Sequence, residues 1–348
     1  MPNQLTLSGA PRRILEEHTT FGLYAQDSWT IKRLSVQGGL RYDRMTQTFP
    51  EQTVGFTRFI PNGFIVPESK GVNWNDITPR MSAAYALTKD GKTALKVSLG
   101  KYVDAQDGGG TFGVNLNPTA RLPVNTVTRA WNDANRDYNP DCDLLNPLAN
   151  GECGPWLTPT FGSAIPLTGQ DPATLNGWNK RPWNWEFSAG VQQQISSRMP
   201  ASITYYRRIY GNFLVTDNTA TTAADYATYN LALPTDARLS TSGQTMTYYD
   251  VNPLLKNGLS GLTTSNYNTF ASNYGNMIQH WNGVDLTTTS RLAGGVTATG
   301  GVTFGKATFD DCEVAAQLPE LLYTTLTPLQ LCHFESGLAP QFKLIGSY

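Results

Sequence analysis

Charge is scarce in this chain. Asp, Glu, Lys and Arg make up 15% of its 348 residues, where about a quarter is usual for a soluble protein. The net charge of −1 creates no field that would gather nucleic acid, so none is expected as a partner. Histidine is rarer still: His18, His280 and His333 are the full set. With no nucleophile motif, no phosphate-binding loop and no paired carboxylates at useful spacing, the sequence argues against an enzyme. Gly108-Gly109-Gly110 is followed by no helical pattern and reads as a loop tip. No run approaches the ~20 apolar residues of a membrane-spanning helix. The opening Met1-Pro2-Asn3-Gln4 is polar and lacks the apolar core of a signal peptide. CXXC is absent too, which weighs against zinc even though His333 adjoins Cys332.

What the chain has is alternation. In Leu34 to Asp43, Leu34, Val36, Gly38, Leu40 and Tyr42 fall on one face and Ser35, Gln37, Gly39, Arg41 and Asp43 on the other. Such a strand has one apolar and one polar side. Nine stretches of this kind can be placed by period, from about Thr20–Ile31 to one that begins near Phe342. They come in pairs joined by tight turns at Lys32-Arg33, Asp90-Gly91, Ser196-Ser197 and Gly294-Gly295. Asp-Gly is a strong hairpin signal.

Successive pairs are separated by loops of roughly 35 to 80 residues, unusually long for a compact domain. One of these, over 44–78, carries Pro50, Pro61-Asn62-Gly63 and Pro67 and is expected to be irregular. Short turns at one rim and long loops at the other are the signature of a barrel that spans an outer membrane. The expected fold is all-β: an antiparallel transmembrane β-barrel, partial, with long extracellular loops. Arg207 and Arg208 are adjacent in one strand, so strict alternation aims one guanidinium at lipid.

The long loops hold two features of their own. Cys142, Cys153, Cys312 and Cys332 fall two to a loop. Three pairings are open, and the local one, Cys142–Cys153 with Cys312–Cys332, keeps each bridge inside one loop. Disulfides imply an oxidising compartment. The second feature is an acidic ladder from Asp133 through Asn135 and Asp137 to Asp143. Oxygen side chains at every second position resemble the first half of a calcium loop. Tyr138, where the turn glycine belongs, and Leu144, in place of a bidentate Glu, depart from that pattern; a solvated loop of Asx turns fits as well. Calcium is the one cofactor candidate.

Several segments resemble the strands of TonB-dependent outer-membrane receptors. Phe21-Gly22-Leu23-Tyr24-Ala25-Gln26-Asp27-Ser28-Trp29, followed by Leu40-Arg41-Tyr42-Asp43, is similar to a hairpin that recurs in these barrels. So is Thr78-Pro79-Arg80-Met81-Ser82-Ala83-Ala84-Tyr85 followed by Gly91-Lys92-Thr93-Ala94-Leu95-Lys96. Trp183-Asn184-Trp185-Glu186-Phe187-Ser188-Ala189-Gly190-Val191-Gln192, together with the Cys142 loop, resembles the Oar-like branch, whose members carry a carboxypeptidase-regulatory-like domain.

The resemblance implies location in the outer membrane, contact with its lipid, a plug domain, and coupling to TonB. It also implies uptake of an extracellular ligand: siderophore, cobalamin-like molecule, oligosaccharide or peptide. Such barrels have about 22 strands, and neither plug nor TonB box is recognisable in the sequence. Residues 1–348 are therefore expected to form the middle part of a receptor barrel. Gln37, Arg41, Glu186, Gln192 and Asp285 are expected to face its lumen, and Leu34, Val36, Leu40, Phe187, Val191, Val284 and Leu286 its outside. The rival is a secreted β-rich carbohydrate-binding protein with disulfide-held loops, in which the apolar set would be sealed against a second sheet.

Overall fold

The computed structural model describes residues 3–9, 13–105, 112–113, 116–121, 124–164, 169–238, 241–256, 264–291 and 293–348. The Gly108-Gly109-Gly110 tip lies outside them. Nine long strands form one sheet: β1 (Glu17–Ile31), β2 (Leu34–Phe49), β3 (Ser69–Ala86), β4 (Thr93–Val103), β5 (Trp183–Ser196), β6 (Met199–Gly211), β7 (Ile278–Arg291), β8 (Thr297–Asp310) and β9 (Ala339–Ser347). Each is hydrogen-bonded to its neighbour in sequence. Short strands Asn176–Trp178 and His333–Glu335 add to β3 and β8. The order opens at β1 and ends at β9, and among the described residues no ladder joins those two.

The register fixes the two rims. Ala86 pairs with Ala94, Thr93 with Gln193, Gln194 with Pro200, Ala201 with Thr288 and Arg291 with Thr297, so three of the tight turns share one rim. The Ala86 N–H donates to the Arg33 carbonyl at 2.9 Å, which brings the Lys32-Arg33 turn there as well. At the other rim Trp183 pairs with both Val103 and Gly211, and Ile278 with Asp310. The stretch carrying Cys142 and Cys153 leaves the sheet at Val103 and returns at Trp183. Cys312 follows directly on the end of β8. The alternation of short and long connections is thus an alternation of rims.

Two compact units can be distinguished. One comprises Met1–Thr20, Met45–Asn73 and Ala105–Leu167. It includes the far ends of β2 and β3, which corrects the expectation of an irregular loop over 44–78. Period-two alternation simply continues past Asp43, and Met45, Gln47 and Phe49 are buried. The Gln47 amide donates to the Phe112 carbonyl at 2.6 Å and accepts from the Val72 N–H at 3.1 Å. Pro50 then ends the strand, because proline has no N–H for the ladder. Gln52–Val54 and Phe64–Val66 pair as a small hairpin around buried Val54, Ile60 and Val66. A second cluster packs Leu7, Val127 and Phe161.

The other unit comprises Phe21–Arg44, Trp74–Asp104 and Thr168–Tyr348. Apart from Trp74 on β3, which is fully buried, its buried hydrophobic residues sit in the long connections: Val215, Ala271, Val314 and Leu318 form one cluster, Ala315, Leu322 and Cys332 another. No hydrophobic side chain described in β4 to β9 is buried. Phe187, Ile203 and Leu286 are 39%, 50% and 40% exposed, and none of the apolar set named above is sealed by a second layer. In water an uncovered apolar face this large is a liability; it marks a surface that meets a partner or lipid.

Candidate functional site

The sheet has two chemically distinct faces, and the ladders decide which residue belongs to which. Directly opposed residues of neighbouring strands share a face. On one face Phe187 opposes Leu99 and Arg207, Val191 opposes Leu95 and Ile203, and Leu286 opposes Ile203 and Val302. On the other Glu186 opposes Gly100 and Arg208, Gln192 opposes Ser202, and Asp285 opposes Thr204 and Thr303. Glu186, Gln192 and Asp285 are therefore on one face. Gln37 joins them: a concavity there is lined by Gln26, Gln37, Arg80, Ser98, Tyr102 and Glu186.

This polar face is tied together by short-range electrostatics. Arg208 Nε donates to Glu186 Oε2 at 2.9 Å. Arg41 reaches Asp43, two residues on and on the same face, with Nε to Oδ2 at 2.8 Å and Nη2 to Oδ1 at 2.7 Å, a bidentate pair. The Arg80 guanidinium lies 4.5 Å from the Tyr102 ring centre. Ser98 and Ser188 hydroxyls meet at 2.6 Å. Asp285 Oδ1 is buried with no hydrogen-bond partner among the described residues.

Register also resolves the Arg207-Arg208 pair. Arg208 belongs to the polar face and Arg207 to the apolar one, where its Nη1 donates to Asn282 Oδ1 at 3.2 Å. Aromatic position alone could not make such distinctions. Trp183 and Trp185 share the apolar face with Phe187. Trp281 opposes Arg208 on the polar face, where its ring covers Gly283 and Gly305; a Cβ built at Gly305 would stand 2.6 Å from the ring.

In the connection between β4 and β5, Cys142 is bonded to Cys153, with Cα atoms 5.9 Å apart. Arg129, on the short strand Thr126–Ala130, is fully buried and donates to the carbonyls of Gly154 at 2.8 Å and Leu148 at 3.0 Å, gathering that segment around one guanidinium. Its burial pushes its pKa below the usual value. Nothing in the sequence marked Arg129, because a single arginine in a polar loop has no pattern.

Asp133, Asn135 and Asp137 use their oxygens locally. Asp133 Oδ2 accepts from the Tyr138 N–H at 3.2 Å, Asn135 Oδ1 from Asp137 at 3.1 Å, and Asp137 Oδ1 from Asn139 at 2.8 Å. Asn135 turns its amide NH₂ towards Asp141 Oδ2 at 2.8 Å, where a cation would need an oxygen. No group of three or more His, Cys, Asp or Glu suited to a metal occurs among the described residues.

The other bridge, Cys312–Cys332, has Cα atoms 4.9 Å apart and encloses helices Cys312–Gln317 and Glu320–Thr325. Beside it, His333 Nδ1 lies 2.8 Å from Asp310 Oδ2.

Residues 2–323 match the family described as the outer membrane beta barrel domain. The chain belongs to that family, and with it to the outer membrane. No curated protein matches the sequence. Among solved structures it is similar to the outer membrane transporter YddB from Escherichia coli, at 11% identity over 85% of this chain and 34% of that one, TM-score 0.36. It is also similar to the copper transporter OprC, at 11% identity over 84% of this chain and 41% of that one, TM-score 0.32. The chain spans about a third of the first and two fifths of the second.

Proposed function

We propose that this chain is part of the wall of a TonB-dependent outer-membrane receptor of the Oar-like branch, a non-enzymatic transport protein. The observation that carries the reading is the uncovered apolar face, opposed across one sheet thickness to a face bearing Glu186, Arg208, Gln192 and Asp285. Lipid covers the first in this reading, and the second lines the lumen. Gln37 and Arg41 complete the lumenal set and would face a plug domain in the intact receptor. Energy would come through TonB. The long loops, held by Cys142–Cys153 and Cys312–Cys332, would meet a siderophore, a cobalamin-like molecule, an oligosaccharide or a peptide outside the cell. The open edges of β1 and β9 support a larger barrel, since an unpaired edge cannot face hydrocarbon. The secreted carbohydrate-binding alternative needs the apolar set sealed inside, and Phe187, Ile203 and Leu286 are exposed.

The test is single-cysteine labelling of the intact receptor that contains this chain, in outer-membrane vesicles, on a background with the native cysteines replaced by serine. Val191→Cys and Leu286→Cys should react only with a lipid-soluble reagent. Gln192→Cys and Asp285→Cys should react with a small water-soluble maleimide. Equal aqueous labelling of both sets would sink the proposal.

A further inference from the structure

The apolar face is not apolar over its full height. Across β4 to β8, the row Leu95–Val191–Ile203–Leu286–Val302 is wholly aliphatic. Four residues along each strand towards the long-loop rim, about 13 Å by strand geometry, the matching row reads Leu99–Phe187–Arg207–Asn282–Lys306. It begins hydrophobic on β4 and β5 and becomes cationic and polar on β6 to β8. On β6 to β8 the face therefore carries a polar notch, with Trp185, Ile209, His280 and Thr308 in the next row towards the rim.

The notch has unspent capacity. Arg207 makes no ion pair among the described residues, and its hydrogen bond goes to the Asn282 amide oxygen, which also accepts from the Tyr205 hydroxyl at 2.8 Å. Its Nε and Nη2 have no protein acceptor among the described residues. Lys306 is already matched by Glu335, Nζ to Oε2 at 2.6 Å. One row nearer the rim, on β4, Lys101 Nζ donates to the neutral Asn179 Oδ1 at 2.9 Å. Guanidinium is a planar fork suited to two oxygens of one phosphate. A cation on a lipid-facing surface is retained where it reaches the interface or finds an anion.

We propose that this notch, centred on Arg207, binds the phosphate of a lipid headgroup in the leaflet on the long-loop side. The inference rests on the membrane reading above, because it needs this face to meet lipid. Charge complementarity selects a headgroup of net negative charge over a zwitterionic one, and the aliphatic row further from the rim would take its acyl chains.

The intact receptor that contains this chain, folded into phosphatidylcholine nanodiscs with a minority of phosphatidic acid and then released into mild detergent, should retain phosphatidic acid selectively in native mass spectrometry. R207Q should lower that retention about tenfold, the loss expected for one charge-assisted pair. R208Q, on the opposite face, should leave it unchanged. If R207Q does not insert, R207K keeps the charge but lacks the fork and should give a smaller loss. Retention by R207Q or R207K equal to the parent protein overturns the inference, as does displacement of the lipid by millimolar inorganic phosphate. Leu286→Cys labelling in the same discs separates the two failures. Lipid-only reactivity with unchanged retention removes this inference alone, whereas aqueous reactivity removes the membrane reading with it.

Discussion

Glu186 and Arg208 stand directly opposite each other on β5 and β6, while one residue further on the same two strands oppose Phe187 and Arg207 on the other face. A single step of strand period thus separates an arginine with an ion-pair partner from one on the opposite face.

The Glu186–Arg208 pair should contribute modestly. Its side chains are 29% and 45% exposed, and pairs that open to solvent are worth about 0.2–1 kcal/mol. A double-mutant cycle of E186Q and R208Q, read by denaturant unfolding in lipid, should give a coupling within that range. A coupling of several kcal/mol would mean that this face is dry.

Acid should loosen the Cys142–Cys153 segment through Glu152. Its carboxylate accepts from Trp131 Nε1 at 3.2 Å and from the Ala134 N–H at 2.7 Å. These hydrogen bonds, the Trp131 one foremost, hold its pKa below the ordinary 4.5 against a smaller opposing effect of burial. A depressed carboxylate pKa contributes stability above the unfolded value and loses it as pH falls through the folded value. Trp131 fluorescence should therefore change below about pH 4.5, and E152Q should remove that transition. An identical acid transition in E152Q would refute the assignment.

Calcium offers a second readout of the same segment. With Asp133, Asn135 and Asp137 occupied by backbone N–H donors, millimolar calcium should leave Trp131 fluorescence and the thermal midpoint unchanged. A saturable shift that requires Asp133 would show that the ladder rearranges into a cation site.

Each bridge should guard its own loop. Removing Cys312–Cys332 as the double serine variant should cost about 3 kcal/mol locally and raise hydrogen exchange in Cys312–Gln317 and Glu320–Thr325. Exchange in β5 and β6 should hold. Non-reducing peptide mapping of the parent protein should join 142 to 153 and 312 to 332; a peptide crossing the two loops would contradict the pairing.

Two glycines should behave differently. Gly91 has φ +72° with open space around its missing Cβ, so G91A should cost about 1 kcal/mol through backbone strain alone. Gly305 has no such strain, but its added methyl would meet the Trp281 ring. G305A should shift Trp281 emission, while G91A should not.

Much of the sheet was legible because period-two alternation is a local signal. All nine long strands announce themselves in this way, as do their tight turns at Asp90-Gly91 and Gly294-Gly295. The ends of β2 and β3 are hidden from this signal because Pro50, Pro61 and Pro67 between them point to a break in the strands. The hairpin Tyr226–Ala232 with Thr245–Val251 was missed because its composition resembles a solvated loop. Short helices such as Cys312–Gln317 are too brief to show a 3.6-residue period. The arginine of the apolar face could not be chosen from sequence at all, since adjacent residues differ only in parity and parity is set by the ladder. Trp281 illustrates the same limit: its place near a strand end says nothing about which face it joins.

The division of the two rims bears on how the sheet comes together. Within each pair β1–β2, β3–β4, β5–β6 and β7–β8, the partner strand arrives after only a few residues, so ladder formation begins with little closure entropy. Between pairs, β4 ends at Val103 and β5 starts at Trp183, and the two ends must find each other across a long tether. Hairpins should consequently form first and dock afterwards, and interrupted assembly should leave open edges at the β2–β3, β4–β5 and β6–β7 joints. Cys142–Cys153 removes its enclosed residues from the β4–β5 tether and so shortens the search at the widest of those gaps.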